Sequence, residues 1–179
     1  FHADLVVSNI DYCITKNLLG QKYKLDLSSL SSSGIVFYWG ICKKFDKLKL
    51  HNVFFSNDYK KEFSQIFEGM SIPDDPTIYV NVTSKIDAFH AKEGCENWFV
   101  MINVPSSLNI SDQKSIQKLK KVVLNILSKK LNESIAPLIE CEQILTPNTL
   151  FENTNAYNGS IYGVNQNSLF KIMKRKSNK

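Results

Sequence analysis

Several segments of the chain alternate apolar and polar residues with the two-residue period of a β-strand. Ile78, Val80 and Val82 alternate with Tyr79 and Asn81, and in residues 98–104 a series of Trp and β-branched residues alternates with Phe99, Met101 and Asn103. Because successive side chains of a strand point to opposite faces, both segments are predicted to be strands with two distinct faces. Residues 35–42 are apolar almost throughout and rich in β-branched and aromatic side chains, which is typical of a central strand.

Three further strands are predicted from shorter patterns. Residues 51–55 and residues 135–145 form two of them, with Pro137 near the start of the second. Residues 5–7 are a short apolar run that precedes polar residues, which predicts a buried strand ending in a turn. The Ser-rich stretch 28–33 is interpreted as a loop or linker that separates this N-terminal piece from the rest.

Helical periodicity appears in two places, and a helix start in a third. Residues 58–67 carry apolar side chains on one side, with Ser56 as the predicted N-cap and Gly69 as the terminator. Residues 111–131 show the three- and four-residue spacing of an amphipathic helix, and Thr146 followed by Pro147 predicts the start of another. Together the elements predict an α+β fold, with a mixed or antiparallel sheet and helices on one face.

The net charge of +5 is concentrated at one end of the sequence. The 179 residues contain 22 Lys+Arg and 17 Asp+Glu, and residues 171–179 hold five of the positive charges and no acid. The remaining 17 positive and 17 negative charges cancel over residues 1–170. Because a nucleic-acid-binding domain usually carries its basic face in the folded part, no nucleic-acid partner is predicted. The tail is interpreted as a solvated segment, with a contact to acidic lipid headgroups as the alternative.

The sequence lacks the common motifs of metal and nucleotide chemistry. Its three His residues are widely separated and its four Cys residues include no C-x-x-C pair, so no metal site is predicted. No G-x-G-x-x-G pattern is present to hold a dinucleotide pyrophosphate. The longest apolar run is too short to cross a membrane. The cysteines are expected to be reduced, which favours a reducing compartment.

Aromatic residues are concentrated on four of the predicted strands. The strand-borne aromatic residues are Phe37, Tyr38, Trp39, Phe54, Phe55, Tyr79, Trp98 and Phe99. One side of such a sheet can pack on the long helix, and the other could line an apolar tunnel for a long hydrophobic ligand. The sequence leaves a two-sided core open as the alternative.

Several long stretches resemble one enzyme family, the bacterial carotenoid desaturases of the phytoene desaturase type. The stretches that carry the resemblance are ADLVVSNIDY (3–12), HNVFFSNDYKKEFSQIFEG (51–69), PDDPTIYVNVTSK (73–85), EGCENWFVMINVP (93–105) and GSIYGVNQNSLF (159–170). The stretch SSGIVFYWG (32–40) is most similar to desaturases of the Bacteroidetes type, including relatives that act on 1-hydroxy-carotenoids. The resemblance extends in order along nearly the whole chain.

This resemblance implies a two-domain FAD flavoprotein, of which the chain is an internal piece that lacks the Rossmann half. The family's glycine-rich flavin motifs would lie outside these residues, which start at Phe1 rather than Met. Residues 28–170 would form the substrate domain. Residues 1–27 would be a strand returning from the flavin domain plus a linker, and residues 171–179 a basic connector. The fragment alone is expected to be inactive.

The resemblance also suggests site residues. Ser8 and Asn9 are the candidates for FAD contact. The candidates for a substrate tunnel are Tyr38, Trp39, His51, Phe54, Tyr79 and Asn81. No catalytic residue is identified, although His51 is the one titratable candidate near the aromatic strands. The sequence does not decide which face of each strand looks inward.

The implied activity removes two hydrogens across a C–C bond of a polyene, with the hydride going to the flavin. The expected partners are a long apolar polyene, of the phytoene or 1-hydroxy-carotenoid type, and a membrane surface. The expected location is cytoplasmic, with peripheral membrane association. Two alternatives stay open: a carotenoid isomerase or retinoid saturase of the same superfamily, and an apolar-ligand-binding module without chemistry.

Overall fold

A computed structural model describes residues 2–165, so the predicted basic connector at 171–179 lies outside the described residues. Five strands form one sheet in the order β2-β3-β4-β1-β5, and every neighbouring pair is antiparallel. The strands are β1 (Ser33–Ile41), β2 (His51–Phe54), β3 (Ile78–Asn81), β4 (Glu96–Val104) and β5 (Ile139–Leu145). The helices are α1 (Tyr12–Leu18), α2 (Tyr59–Phe67), α3 (Gln113–Leu131) and α4 (Pro147–Thr154). The predicted α+β fold is confirmed, and its sheet is antiparallel.

One face of the sheet packs against α3. Alternate residues of β1 and β4, from Ile35 to Ile41 and from Trp98 to Val104, are buried and form a single core with the apolar stripe of α3. The α3 residues in this core are Ile116, Leu119, Val123, Leu127 and Leu131. The 3.6-residue period of α3 places its apolar side chains on one side of the helix. The two-residue period of the strands places theirs on one face of the sheet, and these two apolar surfaces pack together.

The helix starts are capped by short polar side chains, and one of these caps differs from the prediction. Thr146 caps α4, as predicted, and its hydroxyl accepts from the Thr149 N–H at 3.2 Å. In α2 the cap is Asp58 rather than Ser56, because the Asp58 carboxylate accepts from the Lys61 N–H at 2.9 Å. Ser56 lies two residues too early to reach the first turn of the helix.

The predicted buried strand at residues 5–7 is wrong. Leu5, Val6 and Val7 are 80–85% exposed, and no described strand pairs with them. An apolar run becomes a buried strand only when neighbours supply its hydrogen bonds and cover its side chains, and the described residues supply neither. The chain instead forms α1 shortly afterwards, where Asp11 caps the helix.

The strand predicted over 135–145 is shorter than expected. Residues Ala136–Leu138 form a 3₁₀ turn, and β5 begins only at Ile139. Because Pro137 has no N–H to donate to a ladder, it lies in the turn rather than in the strand. β5 is therefore a short edge strand beside β1.

The segment just before β1 meets the end of the described chain. Leu30 forms an isolated bridge with Val164, and the Ser31 N–H donates to the Gly163 carbonyl at 2.8 Å. The predicted linker at 28–33 is thus held in place by the fold, because Leu30 is buried and Ser33 already belongs to β1. The division into a domain at 28–170 and an N-terminal piece at 1–27 stays a prediction.

Candidate functional site

The face of the sheet opposite α3 carries a row of four rings that crosses four strands. The rings belong to Tyr38 of β1, Phe99 of β4, Tyr79 of β3 and His51 of β2. Neighbouring ring centroids are 5.5, 6.1 and 6.1 Å apart, which is the range of edge-to-face and stacked contacts. We call these four residues the aromatic row, and the face that bears them the open face.

The antiparallel register explains why these rings meet. Tyr38 lies opposite Phe99, Phe99 lies opposite Asn81, and Asn81 lies opposite His51. Directly opposite residues of a sheet share a face, and Tyr79 joins this face two residues before Asn81. The row is therefore assembled by strand pairing, from residues up to 61 positions apart in the sequence.

The β2 end of the aromatic row is polar. His51 Nδ1 lies 2.7 Å from the Tyr79 hydroxyl oxygen and 3.2 Å from Asn81 Nδ2, and the same amide nitrogen donates to the Leu50 carbonyl at 3.0 Å. An amide nitrogen can only donate, so these contacts make His51 Nδ1 an acceptor and leave the ring hydrogen on Nε2. The row thus runs from an apolar middle to a hydrogen-bonding end.

A groove of about 700 Å³ lies over part of the open face. Tyr38, Phe99 and Asn81 line it from the sheet, and His90 lines it from the loop between β3 and β4. Near the start of β1 the same face is covered, because the side chains of Ile161 and Met101 both come within 3.2 Å of where a Cβ on Gly34 would stand. The open face is therefore covered near the start of β1. The groove lies over the Tyr38 and Phe99 end of the aromatic row, and Tyr79 and His51 do not line it.

Gly40 deepens the groove near β5. A Cβ at this position would stand 2.6 Å from the Cys141 sulfur, so only glycine lets the thiol lie over the strand. Lys92 and Glu140 form an ion pair at the rim, with Nζ and Oε2 3.2 Å apart. The hydrogen bond to Glu140 and the charge of that carboxylate raise the pKa of the Lys92 ammonium group.

The structure brings together four of the six residues predicted to line the tunnel. Tyr38, His51, Tyr79 and Asn81 share the open face. Trp39 and Phe54 do not share it: both pack into the core on the α3 face, and the Trp39 indole N–H donates to Glu142 Oε2 at 2.7 Å.

This difference has a simple geometric cause. Trp39 follows Tyr38 directly, so its side chain must point the other way along a strand. Phe54 pairs with Ile78, a residue of the core face. The prediction that all six residues line one wall is therefore wrong for these two.

Two open-face residues were missed as site candidates. Phe99 occupies the centre of the aromatic row and contacts both tyrosines, and Met101 follows it on the same face of β4. The alternation of β4 could have revealed both, since Trp98 and Val100 form the opposite, buried series.

Ser8 and Asn9, the candidates for FAD contact, do not line the groove over the open face. The Ser8 hydroxyl is 2.7 Å from that of Thr15, and Asn9 lines a separate cavity of about 550 Å³ with residues of the 156–164 segment. The glycines with positive φ in residues 2–165 are dispersed at positions 20, 94, 159 and 163. The described residues thus do not fit the glycine-rich cradle of a flavin pyrophosphate. The contact of Ser8 and Asn9 with FAD stays a prediction.

The described residues contain neither a cluster of metal ligands nor a membrane-spanning helix. Within residues 2–165 no group of three or more His, Cys, Asp or Glu side chains is placed to hold a metal ion. None of the helices in this part of the chain is long and apolar enough to cross a membrane. The four cysteines are free thiols.

The fold and the site define an α+β domain. A helix covers one face of its sheet, and the other face bears the partly exposed aromatic row. The chain is 42% identical, over 98% of its length, to the 1-hydroxycarotenoid 3,4-desaturase of Flavobacterium sp. (strain P99-3). It is 33% identical over 90% of its length to the phytoene desaturase of Fusarium fujikuroi, and 31% identical over 90% to the 4,4'-diaponeurosporene oxygenase of Staphylococcus aureus. No family model matches it.

The curated homologues of this chain are therefore carotenoid desaturases and a related carotenoid oxygenase, and the predicted family resemblance is confirmed. The match covers 37% of the Flavobacterium protein and 33% of the Fusarium protein, so the chain spans about a third of the length of the curated relatives it matches. The more specific assignment to the Bacteroidetes type stays a prediction.

Proposed function

We propose that this chain is the substrate-binding part of an FAD-dependent carotenoid desaturase, which removes two hydrogens across a C–C bond of a polyene. The observation that carries this proposal is the uncovered aromatic row, in a chain homologous to carotenoid desaturases along nearly all of its own length. Carotenoid desaturases are generally FAD-dependent. FAD is proposed as the cofactor of the whole protein, with Ser8 and Asn9 as the proposed contacts from this chain.

The aromatic row suits a long conjugated ligand. Its rings are rigid, those in the middle of the row are largely apolar, and together they lie across four neighbouring strands, a distance of roughly 15 Å at the usual strand spacing. A polyene laid along the row would cover these rings and displace water from them, which is favourable because both surfaces are apolar. The faces of the rings would also attract positive charge that develops on the polyene during reaction.

The polar end of the row supports a hydroxylated carotenoid as substrate. No described residue hydrogen-bonds to His51 Nε2, and the contacts of Nδ1 leave Nε2 as a donor at the edge strand β2. A terminal hydroxyl group of a carotenoid could accept that hydrogen bond. The name of the Flavobacterium relative, 1-hydroxycarotenoid 3,4-desaturase, describes an enzyme that acts on such a molecule. Phytoene, which has no hydroxyl group, would gain nothing from this contact.

Peripheral association with a membrane in the cytoplasm completes the proposal. A polyene is too apolar to reach the groove through water at a useful concentration, so the protein should take it from a bilayer. The absence of a spanning helix among residues 2–165 is compatible with this arrangement.

The test compares alanine variants in the whole enzyme that contains this chain. Tyr79→Ala combined with Phe99→Ala removes the middle of the aromatic row, and we expect at least a tenfold lower rate of polyene desaturation, followed by the absorption of the product. Tyr59→Ala is the matched control, because Tyr59 is an exposed aromatic residue of α2 outside the row. Equal losses in both variants would contradict the proposal.

The same assay separates the alternatives. A desaturase lengthens the conjugated system of phytoene or of a hydroxylated carotenoid and shifts its absorption to longer wavelength. An isomerase changes only the geometry of an already conjugated polyene, and a saturase shortens the conjugation. A protein that binds the polyene without converting it would be the ligand-binding module.

A further inference from the structure

The loop between β3 and β4 exposes two large apolar side chains at its tip. Ile86 is 75% exposed and Phe89 is 98% exposed, and we call residues 86–89 the apolar tip. Single exposed apolar residues are common, but two within one turn form a protruding apolar feature. His90, the next residue, lines the groove over the open face. The apolar tip therefore stands at the rim of the groove.

Hydrogen bonds hold this loop in place and keep Phe89 outward. The Asp87 carboxylate accepts from the Phe89 N–H at 2.9 Å, and His90 Nδ1 lies 2.9 Å from the Thr83 hydroxyl. Asn97 of β4 donates to the same Thr83 hydroxyl at 2.6 Å. The loop is thus tied to the sheet on both sides of the tip, and Phe89 has a defined position from which to contact a partner.

A strongly basic loop lies beside the apolar tip. Residues 43–49, the lysine loop, contain four lysines and a single acid, Asp46. Lys43 forms an ion pair with Glu133. No described carboxylate pairs with the other three, which are Lys44, Lys47 and Lys49, and all three are exposed. This loop therefore carries an unneutralised positive charge.

A buried ion pair joins the two loops. Lys85 Nζ lies 2.6 Å from Glu96 Oε1 and donates to the Phe45 carbonyl at 2.7 Å, while the same Glu96 oxygen accepts from the Phe45 N–H at 2.9 Å. Phe45 belongs to the lysine loop, and Lys85 directly precedes the apolar tip. The lysines and the two apolar side chains are consequently held at the same end of the sheet.

We propose that this end of the protein is its membrane-docking surface. Ile86 and Phe89 insert into the boundary between headgroups and acyl chains of a bilayer, and Lys44, Lys47 and Lys49 contact anionic headgroups. The open groove then faces the bilayer, so an apolar ligand passes into it without crossing water. The identity of this ligand rests on the proposed function, whereas the membrane contact can be measured without any ligand.

The first test is co-sedimentation of the chain with vesicles of phosphatidylcholine containing phosphatidylglycerol. We expect binding that falls roughly tenfold in the double variant Ile86→Ser/Phe89→Ser, because most of the inserted apolar area is lost. The matched control is Leu18→Ser/Leu19→Ser, which removes two comparably exposed leucines at the end of α1 and should bind like the unmodified chain. No binding by the unmodified chain, or equal losses in the two variants, would overturn the proposal.

The second test concerns charge. Replacing Lys44, Lys47 and Lys49 by Gln should lower binding to anionic vesicles by at least tenfold and reduce its salt dependence. A control with three exposed lysines of α3 replaced by Gln changes the net charge equally and should bind almost normally; its positions are Lys114, Lys118 and Lys121. Equal effects in the two triple variants would show that only overall charge matters, and would contradict the proposed surface.

The third test reports the position of residue 89 directly. The variant Phe89→Trp introduces a tryptophan at the apolar tip. Because the two native tryptophans are buried, a change in tryptophan fluorescence on adding vesicles reports the new side chain. A shift to shorter wavelength, with quenching by brominated lipid, is expected, and unchanged emission would overturn the proposal.

Polyene binding in detergent micelles should be normal in Ile86→Ser/Phe89→Ser. Failure of the unmodified chain to bind polyene there would contradict the proposed function and leave the vesicle results to decide the docking surface.

Discussion

The two faces of the sheet are built from the same five strands and differ in burial. On the α3 face, Phe37 and Trp39 are at most 2% exposed and belong to one continuous core. On the open face their neighbour Tyr38 is 39% exposed and makes an edge-to-face contact with the Phe99 ring. The difference shows that the layer covering a strand decides whether aromatic residues adjacent in the sequence are buried in the core or left exposed.

The largest effect should come from a core substitution placed next to an open-face one. Phe37→Ala empties a fully buried site and should lower the free energy of unfolding by about 3–5 kcal/mol. Tyr38→Ala, one residue later, should cost about 1 kcal/mol, because it removes a half-exposed ring contact. Urea unfolding of both variants measures the difference. Equal losses would contradict the division of the sheet into a core face and a binding face.

A smaller but still large effect is expected at Glu96, where the core meets the loop that bears the apolar tip. Glu96→Gln breaks the buried ion pair with Lys85 and should lower the free energy of unfolding by about 3 kcal/mol. Glu133→Gln removes an exposed ion pair with Lys43 and should cost less than about 1 kcal/mol. Denaturant unfolding of the two variants compares them, and a reversed order would contradict the buried connection between the two loops.

Removing one hydroxyl from the aromatic row should have a modest effect. Tyr79→Phe deletes the contact with His51 Nδ1 and should lower the free energy of unfolding by about 0.5–1 kcal/mol. Tyr59→Phe is the control, since its hydroxyl has no hydrogen-bond partner among the described residues. If both variants lose the same stability, the hydrogen bond at the polar end of the row contributes nothing.

The smallest effect is expected for Val53→Thr on the open face, and Val80→Thr on the opposite face provides the contrast. Val53 is exposed on the edge strand β2, so Val53→Thr should change stability by less than about 0.5 kcal/mol. Val80 is fully buried on the other face, and Val80→Thr should cost about 1–3 kcal/mol because it buries a hydroxyl group. Thermal unfolding of the pair measures this contrast, and similar shifts in Tm would contradict it.

The secondary structure of the sheet could be predicted from the sequence because its signals are local. Strict alternation marks β3 and β4, and the apolar stripe of α3 marks the longest helix. The family resemblance likewise depended on long local stretches, and the homologues confirm it. These features need no knowledge of which elements meet in space.

The composition of the site could be predicted only in part, because it depends on pairing. In the run IVFYWG both faces of β1 are apolar, so alternation does not distinguish Tyr38 from Trp39. Only the register of β1 against β4, which sets Trp39 opposite Trp98 in the core and Tyr38 opposite Phe99 outside it, separates them. The pairing of Phe54 with Ile78 likewise determines the face of the sheet on which Phe54 lies.

Exposure was the least predictable property. The apolar residues at 5–7 suggested burial, yet no described element covers them. The segment between the two alternating strands is mostly polar, and its average composition hides Ile86 and Phe89, whose exposure depends on the hydrogen bonds that hold the loop to Thr83 and Asn97. Burial is a property of the assembled structure, so short apolar runs do not reveal it alone.

The most direct test of the central claim is to map a bound carotenoid on the chain by NMR. With isotope-labelled protein in detergent micelles, addition of a hydroxylated carotenoid should shift the signals of Tyr38, Phe99 and Tyr79 most strongly. The signals of the buried α3 residues should change little. Shifts concentrated on α3 or α2, with the aromatic row unchanged, would contradict the assignment of the open face as the polyene-binding surface.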